Sequence, residues 1–225
     1  MASQQSAFLF DLDGTLVDSV YQHVLAWREA LEAERIELSV WRIHRKIGMS
    51  GGLFSHRLLR ETGVQIDPRR ADRLRRLHAD AYNRHAAQIR PLPGARELLK
   101  YLTGAGIPWA IATSGRMETA RPTLESLGID LGGVPVITRD QVKHGKPDPD
   151  LFLTAAEQLG IEISTASVIG DSVWDMLAAR RAHALEIGLL SGGYGREELE
   201  RAGAYRVYED PIDLLNHIDE VVGRR

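Results

Sequence analysis

Six short apolar runs, each parted from the next by helical sequence, constrain this chain more than anything else in it. They cover residues 7–12, 107–113, 134–137, 166–169, 184–187 and a last stretch centred on Val207. Between the later runs, helical patterns span residues 95–103, 117–127, 149–159 and 173–182, and a terminal helix starts at Pro211. Short uninterrupted apolar runs fit strands buried on both faces, so the alternation predicts an α/β fold: a mainly parallel sheet between two layers of helices. The first run stands apart from the second by almost a hundred residues of charged, mostly helical sequence. Apolar residues there recur at helical spacing over residues 18–33, with further helices expected at 40–46, 53–62 and 68–88 and a glycine-rich break at 48–52. This block reads as a helical insertion over the sheet, dividing the chain into a core of residues 1–16 and 91–225 and a cap of residues 17–90.

In open parallel sheets, chemistry gathers at the carboxyl ends of the strands. Asp11 and Asp13 close the first run and, two apart in extended chain, face one locus. Such a pair repels itself unless a proton or a cation is supplied. Asp11 then reads as a carboxylate nucleophile toward phosphorus and Asp13 as the group that protonates a departing alkoxide and later deprotonates water. The plainer account of Asp13 is an Asx turn into Gly14 and Thr15. Thr113, Ser114 and Gly115 follow the second run, where hydroxyls and turn amides can hold phosphate, although Ser-Gly also makes an ordinary turn or cap. Lys146, framed by Pro147 and Pro149, can offset both phosphate and nucleophile, the alternative being a solvated lysine. Asp148 before Pro149 has the pattern of a helix cap. Asp171 ends the fourth run. Magnesium takes oxygen ligands, and the carboxylates of Asp11 and Asp171 with the backbone carbonyl of Asp13 are the expected set. Asp175 has capping-box spacing from Ser172 and is expected to order a bound water or Lys146.

Taken together, Asp11-Leu12-Asp13-Gly14-Thr15, Thr113-Ser114, Lys146 in its Lys-Pro-Asp-Pro setting, and Gly170-Asp171-Ser172 with Asp175 resemble the haloacid dehalogenase-like hydrolase superfamily. The likeness is to its phosphatases with a helical cap after the first strand, in the phosphoglycolate phosphatase and β-phosphoglucomutase-like subgroup, and covers nearly the whole chain. It implies a Rossmann-like core, an aspartyl-phosphate on Asp11, acid/base work by Asp13, phosphate held by Thr113 or Ser114, charge balance by Lys146, magnesium at Asp171, and a cap that closes on the substrate. Asp13 and Asp171 favour phosphoryl transfer over dehalogenation, which needs neither. A phosphonate-cleaving relative would use a cap lysine, for which Lys46 is conceivable. His23 resembles the hinge-proximal histidine of β-phosphoglucomutases, so a sugar phosphomutase stays open; a partly buried helix residue is the plainer reading. Gly48 and Ser50, in the glycine-rich break, and Arg45 and Lys46 beside it are candidate substrate contacts, the break otherwise being an ordinary connector. A non-catalytic phosphate-binding domain is the third alternative.

The resemblance implies a small phosphorylated metabolite as partner, and composition weighs against macromolecular ones. With 31 acidic against 28 basic side chains and a net charge of -3, no global field draws nucleic acid or an anionic membrane. The arginines between Arg69 and Arg76 come without an aromatic stacking pattern. No run approaches the ~18 apolar residues of a membrane span, and residues 1–6 lack a basic signal region, so the cytoplasm is the expected location. The absence of cysteine removes disulfides, thiol nucleophiles and zinc-thiolate sites. Monomer and homodimer both fit. The four tryptophans are expected to pack, with Trp174 beside the metal loop.

Overall fold

A computed structural model describes residues 6–128 and 130–222. Strand β1 (Ala7–Phe10) lies inside a six-stranded parallel sheet with β4 (Trp109–Ala112) and β5 (Val136–Ile137) on one side and β6 (Ala166–Gly170), β7 (Leu185–Leu189) and β8 (Arg206–Tyr208) on the other. The order is β5-β4-β1-β6-β7-β8. Phe10 registers with Ile111 of β4 and with Ile169 of β6, so the carboxyl ends of three strands finish side by side.

Alternation along β1 divides the core into its two layers. Phe8 and Phe10 pack with Leu98, Leu99 and Leu102 of α5 (Ala95–Gly104) and Leu124 of α6 (Met117–Ser126). Ala7 and Leu9 face the other way, toward Leu151 and Phe152 of α7 (Asp150–Leu159) and Ala178 and Ala179 of α8 (Val173–Ala182). All four strand residues are fully buried, which is why the run is apolar throughout rather than alternating.

The insertion leaves and rejoins the core through two paired segments, β2 (Val17–Asp18) and β3 (Arg90–Pro91), antiparallel with Val17 opposite Pro91. Two-residue strands carry no periodic signal, and nothing in the sequence marks them. The cap comprises α1 (Val20–Ala33), α2 (Val40–His44), α3 (Gly51–Thr62) and α4 (Pro68–His85), around a core of its own that includes Val24, Leu31, Ile43, Phe54, Leu58 and Leu74.

Several boundaries depart from expectation. The glycine-rich break is shorter, because Ser50 caps α3 by accepting from Leu53 N and the helix begins at Gly51. Asp148 does not cap α7: the helix starts at Asp150, while Asp148 Oδ1 accepts from Arg181 at 3.2 Å. Helix α9 (Arg196–Ala202) went unread because its seven mostly charged residues bury little besides Leu199. Helices α10 (Pro211–Asn216) and α11 (Asp219–Val222) end the described chain. Trp109 is core, but Trp41 is 64% exposed and does not pack as expected. No helix of the described residues is long and apolar enough to cross a membrane.

Candidate active site

Asp11, at the end of β1, and Asp171, at the end of β6, emerge from neighbouring strands, and Asp11 N donates to Ile169 O at 2.9 Å. Lys146 reaches them from the loop before α7. It is fully buried, bonded to Asp11 Oδ1 and 2.7 Å from Asp175 Oδ1. Burial opposes its charge, but Asp11 and Asp175 overcome that and hold the ammonium above the ordinary lysine value. The other oxygen of Asp175 accepts from Ser172 N at 3.1 Å and from the Ser172 hydroxyl, closing the capping box of α8. One oxygen of Asp175 is thus taken by Ser172, and the other faces Lys146 as an ion pair.

Asp11, Asp171 and Asp175 each present a carboxylate oxygen within 4.8 Å of the others, all buried. Burial pushes the Asp11 carboxyl up to about 7, with Asp175 and Asp13 adding to the rise and Lys146 opposing it. Burial and the neighbouring Asp175 and Asp11 raise Asp171 well above the ordinary range. Three buried carboxyl groups share one ammonium and cannot all ionise without a further cation, and the oxygen donors of Asp11 and Asp171 fit a hard divalent one. Asp171 Oδ1 accepts from Thr15 Oγ1 at 3.1 Å, and its other oxygen lies between two glycine backbones. A Cβ on Gly14 would fall 2.6 Å from Asp171 Oδ2, and one on Gly192 only 1.7 Å from it. Either side chain would displace the carboxylate.

Asp13 does not form the Asx turn, since Thr15 N donates to Leu12 O instead. Its Oδ1 accepts from Ser19 Oγ at 2.6 Å, lies 3.2 Å from His23 Nε2 and 3.5 Å from the Tyr82 hydroxyl. Burial would raise this carboxyl, but His23, Ser19 and Lys146 outweigh it and hold it below the ordinary value. Among the described residues Oδ2 has no hydrogen-bond partner, and it lies on the side of Gly115. Behind His23, its Nδ1 meets His78 Nε2 at 3.1 Å.

Thr113 is buried after β4 and its Oγ1 accepts from Gly115 N at 2.9 Å. Ser114 Oγ is buried without a partner among the described residues, a group prepared for a ligand. These residues border a chamber of about 410 Å³ between core and cap, to which the core contributes Asp11, Asp13 and Asp171. Trp27, Met49, Phe54 and Leu74 form its apolar cap wall. Arg76 also lines it and, among the described residues, has no ion-pair or hydrogen-bond partner.

The cap candidates are placed differently from expectation. Arg45 points away from the chamber: it pairs with Glu198, with a second bond of 3.2 Å, and stacks 4.0 Å over the Tyr194 ring. Lys46 borders the chamber but its ammonium is 2.7 Å from Glu61 and donates to Arg42 O, which leaves no free amine for a Schiff base. Ser50 caps α3 and its amide donates to Lys146 O at 2.8 Å. Gly48 does line the chamber, in a left-handed turn (φ +87°) where a Cβ would sit 3.0 Å from Ser172 Oγ. The break therefore mainly seats the cap on the core. No site role was read from sequence for Ser19, Tyr82, His78 and Gly192, and Thr15 entered only as part of the first motif; except for Ser19, six residues from Asp13, these gain meaning from partners distant in the chain.

With this arrangement in place, the model of the haloacid dehalogenase-like hydrolases matches residues 5–183. The chain belongs to that family. This hydrolase is 30% identical to an N-acetylmuramic acid 6-phosphate phosphatase of Pseudomonas aeruginosa, over 96% of each chain. It is 36% identical to hexitol phosphatase A of Escherichia coli over 78% of each. A solved hydrolase from Pseudomonas syringae superposes with a TM-score of 0.95 at 59% identity, covering 97% of this chain and 100% of that one.

Proposed function

We propose that this hydrolase is a magnesium-dependent phosphatase of a small phosphomonoester, acting through an aspartyl-phosphate on Asp11. The observation that carries the reading is the Asp11 carboxylate held by buried Lys146, beside Asp171, in the same chamber as the unpartnered hydroxyl of Ser114. Ser114 and Thr113 would bind the phosphate, and Lys146 would offset its charge. Bound magnesium would supply further charge neutralisation, with Asp11 and Asp171 carboxylates and the Asp13 carbonyl as its protein ligands. Asp11, ionised when the cation offsets its burial, attacks phosphorus, while Asp13, which its neighbours hold ionised in the free protein and which therefore takes up a proton before this step, gives that proton to the departing alkoxide; Asp13 then takes a proton from the water that cleaves the acyl phosphate.

A chamber of about 410 Å³ has room for a leaving group as large as a sugar beside the phosphate, so sugar phosphates belong in the substrate panel with phosphoglycolate. The relatives' names do not separate the two, since they include phosphatases of an amino-sugar-acid phosphate and a hexitol phosphate and also phosphoglycolate phosphatases. The contact of His23 with Asp13 keeps a sugar phosphomutase as the second reading. Phosphate release from a panel of phosphoglycolate, sugar phosphates and nucleotides, with magnesium and an Asp11→Asn control, separates the cases. Release that depends on Asp11 supports the phosphatase, an isomerised sugar phosphate supports the mutase, and Asp11-independent release sinks both.

A further inference from the structure

His78, on cap helix α4, has no task in the chemistry described so far. It is 8% exposed, and a buried imidazole without a partner is costly. Its Nε2 lies 3.1 Å from Nδ1 of His23 on α1, whose Nε2 is 3.2 Å from Asp13 Oδ1. The rings are clamped as well as bonded. Tyr82 stacks on His23 with centroids 3.9 Å apart, and Trp27 stacks on His78 at 4.3 Å. Two cap helices thus converge on one carboxylate oxygen of the core.

The donor arithmetic makes this chain of contacts specific. A nitrogen facing a carboxylate donates, so His23 carries its proton on Nε2, and a singly protonated ring then has an acceptor at Nδ1. His78 meets that atom with its own Nε2. Burial and the adjacent His23 hold His78 well below the ordinary imidazole value, against an opposing pull from Asp13, so its ring is neutral. A neutral His78 donates from Nε2 to the Nδ1 acceptor of His23. The bond and the Tyr82 stack together hold the His23 ring in its orientation.

We propose that His78 is a positioning residue, which fixes the ring of His23 and through it the direction in which Asp13 presents its free oxygen to the leaving group. This rests on the reading of Asp13 as the acid/base group. It also makes the aim of that group depend on the seating of α4 against α1, since His23 and His78 sit on different cap helices.

A positioning role has a signature that packing lacks. General-acid help matters most for poor leaving groups, so a series of substituted phenyl phosphates, equal in shape but graded in leaving-group basicity, reads it as a slope. Asp13→Asn is expected to steepen the dependence of kcat/KM on basicity. His78→Phe keeps a ring for the stack but loses the hydrogen bond, and is expected to widen the nitrophenyl-to-methoxyphenyl ratio by about tenfold or more. His78→Gln, which can both donate and accept, is expected to restore most of the original slope. A steep Asp13→Asn series beside a wild-type slope in His78→Phe overturns the role of His78. A wild-type slope in Asp13→Asn overturns the acid/base reading beneath it. Nitrogen NMR of the imidazoles in the unaltered protein is independent of how the variants fold: a coupling between His23 Nδ1 and His78 Nε2 supports the proposal, and its absence overturns it.

Discussion

Asp11 holds its proton in the folded protein at pH values where an ordinary aspartate has lost it, because burial outweighs the attraction of Lys146. A carboxyl raised from 3.8 to about 7 contributes stability that is complete below the lower value and lost as pH climbs through the upper one. Asp171 is raised in the same direction. Lys146, also raised, keeps its contribution until strongly alkaline pH, and Asp13, lowered, loses its own only in acid. His78, held low, opposes this by adding stability as pH rises toward the ordinary imidazole value, but it is one group against two raised carboxyls, so in chelator the melting temperature should fall between pH 4 and pH 7, and magnesium should flatten that fall. Calorimetry across this range checks it, and a flat profile in chelator would count against the buried carboxylates. At the same scale, the sequence located Asp11, Asp13, Thr113, Lys146 and Asp171 because each follows a strand or a proline-framed turn. His78 gave no such signal, being 55 residues from its partner.

At the level of elements, the strand-end loops are shaped as much by what they leave out as by what they contain. The loop after β7 brings Gly192 so near Asp171 that an added methyl group has no room. Gly192→Ala is expected to lower magnesium affinity and turnover by at least about tenfold, as loss of correct ligand placement does; a magnesium titration of activity measures it, and an unchanged half-saturation would contradict this account. The same loop accepts a cap contact, with His44 Nε2 2.8 Å from Gly192 O. Arg45 adds its pair with Glu198, both side chains more than a third exposed, so the pair is worth at most about 1 kcal/mol. Arg45→Ala should leave melting nearly unchanged yet lower kcat/KM by up to about fivefold, through a less populated closed cap. A large melting loss would instead make Arg45 a structural residue. Elements with a buried face, such as α1 and β6, were legible, whereas β2, β3 and α9 were not, since they are too short or too polar for periodicity.

The whole molecule is a sheet-based core and a helical cap with separate apolar centres, meeting at a chamber that neither builds alone. A cation bound only by the folded state stabilises it by about 2.7 kcal/mol at a hundredfold excess over its dissociation constant. Magnesium should raise the melting temperature of the native protein, and Asp171→Asn should abolish the increment while retaining the fold. An equal increment in both proteins would place the ion elsewhere.

The sequence by itself determined the parallel α/β core, the helical insertion after the first strand, and the residues that gather at the strand ends. Those follow from local quantities: which runs are apolar on both faces, and which polar groups interrupt them. Only the tertiary structure decided which cap residues face the chamber. It paired Arg45 with Glu198 and Lys46 with Glu61, left Arg76 without a partner among the described residues, and set His78 behind Asp13. A charged or aromatic side chain on an amphipathic helix carries no mark of its partner, because the partner is chosen by how the helices pack.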